Sequence, residues 1–277
     1  MSSMMHRGRA TYAFFERNWN LTKRYWGWEV VWFVYNAINA LSVTLISKNT
    51  SVLGKVSQAQ VNSLTLYLVI GTSVWSYLSV TFDGITELVT LERWEGTIEH
   101  TFMAPISRFT HMVGSCWYAV LHGLLFTFAQ LILVAAFFQL DLSQANYLAA
   151  VFVLLLGSIS FIGFGIGASV LPLLFTERGS QMSYIVKAVI LLISGVYYPI
   201  TVLPGWMQPA ARISPATYVL NGLRDALQHN APIWSPTIWA STWPLIISGI
   251  VSIPLGLWIF GIAERYAKRT GKLKRNG

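Results

Sequence analysis

Long apolar segments are the feature that most constrains what this chain can fold into. Six stretches are mostly apolar over about 20 or more residues, the length that a helix needs to cross a bilayer. They are residues 27–47, 62–82, 110–138, 145–171, 181–200 and 239–262. Charged residues make up 11% of the chain, whereas a soluble domain carries about 25%. The sequence therefore predicts an all-α integral membrane protein, a single domain over residues 1–277 with six transmembrane helices within 27–262.

The first 26 residues differ in pattern from these spans. In "YAFFERNWNLTKRYWGW" aromatic rings alternate with Arg17, Lys23 and Arg24. Rings with interleaved basic residues suit an amphipathic helix that lies in the headgroup region of a membrane. We therefore predict an interfacial helix over residues 1–26. A cytoplasmic extension of the first span is the alternative.

Basic residues are distributed unevenly between the two sides of the predicted bundle. With both termini inside, 15 Lys and Arg residues lie inside and four lie outside, namely Lys48, Lys55, Arg212 and Arg224. Cytoplasmic loops of membrane proteins carry such an excess. The pattern therefore predicts that both termini, including the basic tail 263–277, are cytoplasmic. It also accounts for the net charge of +8 without a nucleic-acid partner.

An acidic segment lies in the predicted cytoplasmic loop 83–109, directly after the second span. This segment holds five of the 11 acidic residues, which are Asp83, Glu87, Glu92, Glu95 and Glu99. The last three share one helical face, because they are spaced at i, i+3 and i+7. Such a concentration of carboxylates in a chain with so few charges indicates an interaction surface.

An apolar stripe adjoins the acidic face, formed by Leu91, Trp94, Ile98 and Phe102. Gly96 interrupts the helical pattern and Pro105 ends it, which favours two short helices that meet near Gly96 and Thr97. A segment with one acidic and one apolar face is typical of an element that docks on another protein. A solvated acidic loop is the alternative, but that interpretation gives the apolar stripe no role.

A second unusual segment, residues 198–230, lies between the fifth and sixth spans. It is too rich in proline for a continuous span and too apolar for an ordinary loop. Ser214 and Pro215 form a typical helix start, a capping hydroxyl followed by proline at the first helical position. Residues 216–228 then fit a short helix. We predict an external helical hairpin that dips into the outer leaflet, where its backbone is buried in protein or lines a cavity.

Nothing in the sequence indicates bond-breaking chemistry. There is no phosphate-binding, zinc-peptidase or paired-cysteine motif, and the five histidines are scattered. We therefore predict no catalytic residue, no metal site and no cofactor in this chain. An ion-coupled secondary transporter would bury acids within its spans. It remains a more remote alternative, because only Glu29 comes near a span.

Two segments of the chain resemble a known family. "ERWEGTIEHTFMAPISR", after the second span, resembles the acidic E-R-x-x-G-T-x-E loop of ABC exporter permeases of the type-2 class. "LPGWMQPAARISPATYVLNGLRDAL", before the last span, resembles the external hairpin of the same family, including its closing arginine, Arg224. The order of the interfacial helix, six spans, cytoplasmic loop, hairpin and basic tail is also similar to that family over nearly the whole chain.

The resemblance implies a transport subunit of a bacterial plasma membrane that is not itself an enzyme. It implies a dimer, with a second copy or a paralogous permease, resting on two ABC ATPase subunits that bind ATP and Mg²⁺. The residues that it implies for ATPase coupling are Glu87, Leu91, Glu92, Arg93, Trp94, Glu95, Gly96, Thr97 and Glu99, with Glu177 and Arg178 as a smaller contact. The residues that it implies for an external gate are Tyr198, Pro199, Pro204, Trp206, Pro215 and Arg224.

Polar and aromatic residues within the first two spans are candidates for the substrate pathway. They are Trp32, Tyr35, Asn36, Asn39, Thr72, Ser73 and Ser76. Hydrogen bonding between helices explains the polar ones equally well. Similarity to the drug and lipid exporter branch predicts export of a small amphiphile, such as a drug, lipid or polyketide, from the cytoplasm or inner leaflet. Export of an undecaprenyl-linked polysaccharide or teichoic acid is the alternative, since aromatic rings also stack on sugars.

Overall fold

A computed structural model describes residues 2–53, 57–104, 107–140, 143, 145–175 and 177–271. The protein is 85% helix, and the described residues contain no strand. The α-helices are α1 (Ser2–Arg24), α2 (Trp26–Leu53), α3 (Gln58–Trp94), α4 (Ile98–Met103), α5 (Arg108–Phe138), α6 (Tyr147–Ala168), α7 (Val170–Leu174), α8 (Gly179–Ile193), α9 (Gln208–Ile213), α10 (Pro215–Gln228) and α11 (Pro236–Thr270). A short 3-10 helix, Ile200–Val202, lies between α8 and α9.

Five helical segments among the described residues are long and apolar enough to cross a bilayer. They are Trp26–Ser47, Gln60–Trp94, Phe109–Phe138, Tyr147–Leu174 and Pro236–Thr270. The prediction of an all-α integral membrane protein is therefore confirmed.

The fifth predicted span, 181–200, is a shorter helix than the sequence suggested. It corresponds to α8, which has 15 residues and a length of about 22 Å, less than the hydrocarbon thickness of about 30 Å. The chain turns after α8 because Gly195 adopts φ +72°, a conformation that favours glycine. The last residues assigned to this span therefore belong to the turn that leads into the hairpin.

The second span extends well beyond its predicted end at residue 82. Helix α3 continues to Trp94, so Asp83 and Glu87 lie within the helix rather than in a loop. The chain then turns at Gly96, which has φ +73°, and α4 begins at Ile98. The prediction of two helices that meet near Gly96 is confirmed, but the first of them is the end of the spanning helix itself.

The main hydrophobic core lies between α3, α6, α10 and α11. Helix α10 is strongly amphipathic, and its apolar side chains Val219, Leu220, Leu223 and Ala226 are buried in this core. The predicted helical hairpin is therefore packed against the bundle. A second core cluster holds α4 against α3, α5 and α11 at the opposite end.

Helix α1 packs against α5. A Cβ atom at Gly114 of α5 would lie 2.9 Å from Phe14 and 2.9 Å from the carbonyl oxygen of Thr11, so the two helices approach closely. We call the end of the bundle with α1, α4 and residues 177 and 178 the loop side. The end with residues 194–235 is the hairpin side.

Candidate functional site

The turn between α3 and α4 presents a mixed acidic and apolar surface on the loop side. Leu91, Trp94 and Met103 are 39%, 69% and 80% exposed. Glu95 and Gly96 are exposed between them, and nothing lies within 4 Å of the position that a Cβ at Gly96 would take. We call these five residues the loop surface. It is open to a partner, because large apolar side chains project from it beside a carboxylate.

Glu92 lies inside the protein, although its spacing predicts that it shares a face with Glu95. Its side chain is buried, and one carboxylate oxygen accepts hydrogen bonds from Arg17 of α1 at 3.2 Å and from His111 of α5 at 3.0 Å. The reason is the tertiary packing: α5 packs against α3, and α1, which packs on α5, reaches Glu92 through Arg17. Glu92 therefore joins three helices instead of facing a partner.

Arg93 is also buried, at 2% exposure. Its guanidinium donates to the carbonyl oxygens of Pro172 and Leu173, where α7 ends. Arg93 thus ties the end of α3 to the second predicted contact, where Glu177 and Arg178 are exposed.

The predicted apolar stripe divides between the surface and the interior. Ile98 and Phe102 are buried, and the Phe102 ring packs edge-on against Phe260 of α11 at 6.2 Å. Thr97 and Glu99 are half-buried. Helix α4 is therefore anchored by its own apolar side, and only Leu91 and Trp94 of the predicted stripe remain exposed.

The sequence reasoning missed one ion pair and one close contact between a histidine and a carboxylate. Lys187 of α8 lies 2.6 Å from Asp83 of α3, and His122 of α5 lies 3.1 Å from Glu29 of α2. Glu87 is exposed one turn beyond Asp83. The available signal was Lys187, the one Lys or Arg in the otherwise apolar sequence of α8, because a charge inside a spanning bundle is usually paired.

The predicted pathway residues fall in two different environments, one exposed on α2 and one mostly buried on α3. On α2, Trp32, Tyr35 and Asn39 are exposed, and Trp32 meets Trp28 and Tyr35 edge to face at 6.2 and 5.7 Å. The Asn36 amide is half-buried and donates to the carbonyl of Trp32 at 2.9 Å.

On α3, by contrast, Thr72 and Ser73 are buried and Ser76 is half-buried. Thr72 donates to the carbonyl of Leu68 in its own helix. Ser73 lines a small interior cavity with Thr127 of α5. The structure therefore does not bring the α2 and α3 sets together within one copy of the chain.

The predicted gate residues also separate by environment. Pro199, Pro204 and Trp206 are exposed, with Trp206 at 80%. Pro215 is buried at the start of α10. Tyr198 donates its hydroxyl to the carbonyl of Leu192, near the end of α8, at 2.6 Å.

Arg224 of α10 reaches across to α3 and to the end of α8. Its guanidinium carbon lies 3.5 Å from the ring centroid of Tyr67. Its Nη2 donates to the carbonyls of Gly195 at 3.1 Å and Val196 at 3.2 Å. Burial lowers the pKa of Arg224 to about 10, so the side chain is still a cation at neutral pH.

The fold and these surfaces define a multi-pass helical membrane protein with an exposed apolar and acidic surface at one end and a packed hairpin at the other. A sequence model described as the ABC-2 type transporter family matches residues 9–227 of the chain. The chain therefore belongs to the ABC-2 type transporter family. The match makes it the membrane subunit of an ABC transporter, whose partners are ABC ATPase subunits carried on separate chains. No curated protein matches the chain.

Proposed function

We propose that this permease exports a small amphiphile, of the drug, lipid or polyketide type, out of the cytoplasm or the inner leaflet. Two ABC ATPase subunits bind ATP and Mg²⁺ and drive the transport by alternating access. The membrane part is a dimer of this chain with a second copy or a paralogous permease. The loop side faces the cytoplasm of a bacterial plasma membrane.

The observation that carries the choice of substrate is the exposed face of α2. Trp28, Trp32 and Tyr35 form a row of rings, and Asn39 continues the same face one turn further on. A face with rings at one end and an amide at the other suits a molecule with an apolar body and a polar head. A partner permease packed near this face would enclose it as one wall of a pathway.

The loop surface supports the proposed coupling to ATP hydrolysis. Trp94 and Leu91 supply exposed apolar contact, and Glu95 supplies a charge that pairs with a basic residue of the ATPase. Charge pairs at the edge of an interface set its register and specificity more than its affinity. Glu177 and Arg178, which Arg93 links to α3 through α7, form the smaller second contact.

Export of a lipid-linked glycan is the alternative, and the same row of rings favours it. Aromatic side chains offer flat apolar faces on which sugar rings stack.

The test measures substrate-stimulated ATPase activity of the reconstituted complex with hydrophobic amphiphiles. We expect Trp32→Ala and Asn39→Leu each to change the stimulation several-fold, as losing about 1 kcal/mol of a ring or hydrogen-bond contact would. Trp258→Ala is the matched control, since Trp258 is a similarly exposed tryptophan on α11. Stimulation by a lipid-linked glycan and by no amphiphile would reverse the choice of substrate.

A further inference from the structure

The backbone carbonyl groups at the C-terminal end of α8 need hydrogen-bond donors from outside the helix. Helix α8 ends at Ile193, and Ser194 donates its backbone N–H to the Leu191 carbonyl and its hydroxyl to the Ile190 carbonyl. Ser194, Gly195 and Val196 are buried, so protein groups rather than water must satisfy their carbonyls. The contacts around residues 192–196 show which groups take this role.

Hydroxyl groups satisfy part of this end. Tyr198 donates to the Leu192 carbonyl at 2.6 Å. The Thr217 hydroxyl of α10 donates to the Ala211 carbonyl at 2.7 Å and lies 3.4 Å from the Ser194 carbonyl. The hydroxyl of Ser194 lies 2.9 Å from that of Ser214 at the start of α10. The end of α8 is therefore joined to α10 by short polar side chains.

Arg224 satisfies the carbonyls of the next two residues, Gly195 and Val196, through one nitrogen. A cation at this position is also favoured electrostatically, because the C-terminal end of a helix carries partial negative charge. Tyr67 of α3 donates its hydroxyl to the same Gly195 carbonyl at 3.3 Å and lies with its ring beneath the guanidinium. One arginine thus joins α10, α3 and the end of α8.

The same segment touches α3 without intervening side chains. A Cβ atom at Gly71, one turn after Tyr67, would lie 2.2 Å from the Val196 carbonyl oxygen. Only glycine allows this approach. The Val196 side chain is 1% exposed, so the contact between α3 and the end of α8 is closed in this conformation.

The attachments of Arg224 suit a contact that opens and closes. Among the described residues its partners are two carbonyl groups and a ring, and no carboxylate holds it. A buried arginine–carboxylate pair would be costly to break, whereas water can replace neutral carbonyls as partners once the site opens.

We propose that Arg224 is a positioning residue that holds the end of α8 against α3 and so keeps the hairpin side of the bundle closed. Tyr67 supports it by stacking and by sharing the Gly195 carbonyl. Release of the guanidinium from Gly195 and Val196 frees residues 194–199 to move away from Gly71. This inference rests on the proposed function, since it places the contact held by Arg224 at the exit of an exporter.

The test measures how readily a buried cysteine becomes accessible from outside intact cells. The probe is Val196→Cys in a chain from which the single native cysteine, Cys116, has been removed by Cys116→Ala. A membrane-impermeant maleimide is added, and the labelling rate is measured. Arg224→Met should raise the rate about tenfold or more, the shift expected when a hydrogen bond to a charged group is lost. Arg224→Lys, which keeps the charge but not the planar stack, should give an intermediate rate.

The matched control is Arg212→Met, the same change at an exposed arginine of α9, and it should leave the rate unchanged. Equal rates for Arg224→Met and Arg212→Met would overturn the proposal. If Arg224→Met fails to accumulate in the membrane, Tyr67→Leu replaces it, with Tyr67→Phe as the ring-preserving control. Equal labelling rates for Tyr67→Leu, Tyr67→Phe and the chain with Tyr67 unchanged would also overturn the proposal.

The labelling rate does not depend on substrate or on transport. Suppose that no amphiphile stimulates the ATPase activity of the complex, but Arg224→Met still raises the labelling of residue 196. That result would refute the proposed substrate and support the proposed role of Arg224. Arg212→Cys is a separate control for orientation. Its labelling in intact cells shows that the hairpin side faces the external reagent.

Discussion

Glu92 and Glu95 are three residues apart and chemically identical, yet their environments are opposite. Glu92 is buried against Arg17 and His111, while Glu95 is exposed on the loop surface. A buried carboxylate is tolerated only when its charge is paired and hydrogen-bonded. The same carboxylate on a surface makes a negligible contribution to stability. The two positions should therefore respond differently to the same substitution.

We expect Glu92→Gln to lower the free energy of unfolding by about 2 kcal/mol, because it leaves Arg17 and His111 without their anionic partner. Glu95→Gln is the matched control and should change it by less than about 0.5 kcal/mol. Thermal unfolding of the purified permease in detergent, followed by tryptophan fluorescence, measures both. Equal shifts for the two variants would argue against the buried cluster.

At the scale of elements, side-chain contacts hold the end of α3 and α4 to four other helices. Glu92 connects α3 to α1 and α5, Arg93 connects α3 to α7, and Phe102 connects α4 to α11. The loop surface is thus carried on an anchored element. If the ATPase docks on the loop surface, as we propose, then these contacts connect it to several helices at once.

Charge reversal on this element should uncouple the complex without unfolding the permease. We expect Glu95→Lys to lower the amount of ATPase that copurifies several-fold, since a like charge then faces a basic residue of the partner. Glu16→Lys, at an exposed acid of α1, is the control for the charge change itself. Normal membrane insertion of both variants should accompany the loss. Full copurification and transport with Glu95→Lys would mean that the turn is only a solvated connector.

At the scale of the whole molecule, the charge distribution predicts the orientation. The 15 Lys and Arg residues predicted inside lie within residues 1–24, within 83–109, at positions 178 and 187, and after residue 262. The family match and the apolar helices establish a multi-pass membrane protein. Which side faces the cytoplasm is a prediction from the charges.

That orientation predicts which positions an impermeant thiol reagent can reach in intact cells. With Cys116 replaced, cysteines at Asn49 and Arg212 should be labelled from outside. A cysteine at Arg269, exposed near the end of α11, should be labelled only after the cells are permeabilised. Labelling of position 269 in intact cells would contradict the predicted orientation.

Local patterns in the sequence were sufficient for the helical membrane fold, the break at Gly96 and the start of α10 at Pro215. Each depends on properties of a short segment: the apolar length that a bilayer requires, a residue that tolerates positive φ, and a proline that fits the first helical position. Such properties do not depend on what the rest of the chain does.

Only the tertiary structure decided which residues of a pattern face inward. The i, i+3, i+7 spacing places Glu92 with Glu95, but Arg17 of α1 and His111 of α5 bury Glu92 and leave Glu95 exposed. Likewise, nothing in the sequence near Arg224 indicates that its partners are Tyr67, more than 150 residues earlier, and two carbonyls after α8. Helical periodicity fixes the direction of a side chain relative to its own axis, whereas burial and pairing depend on which distant helix packs there.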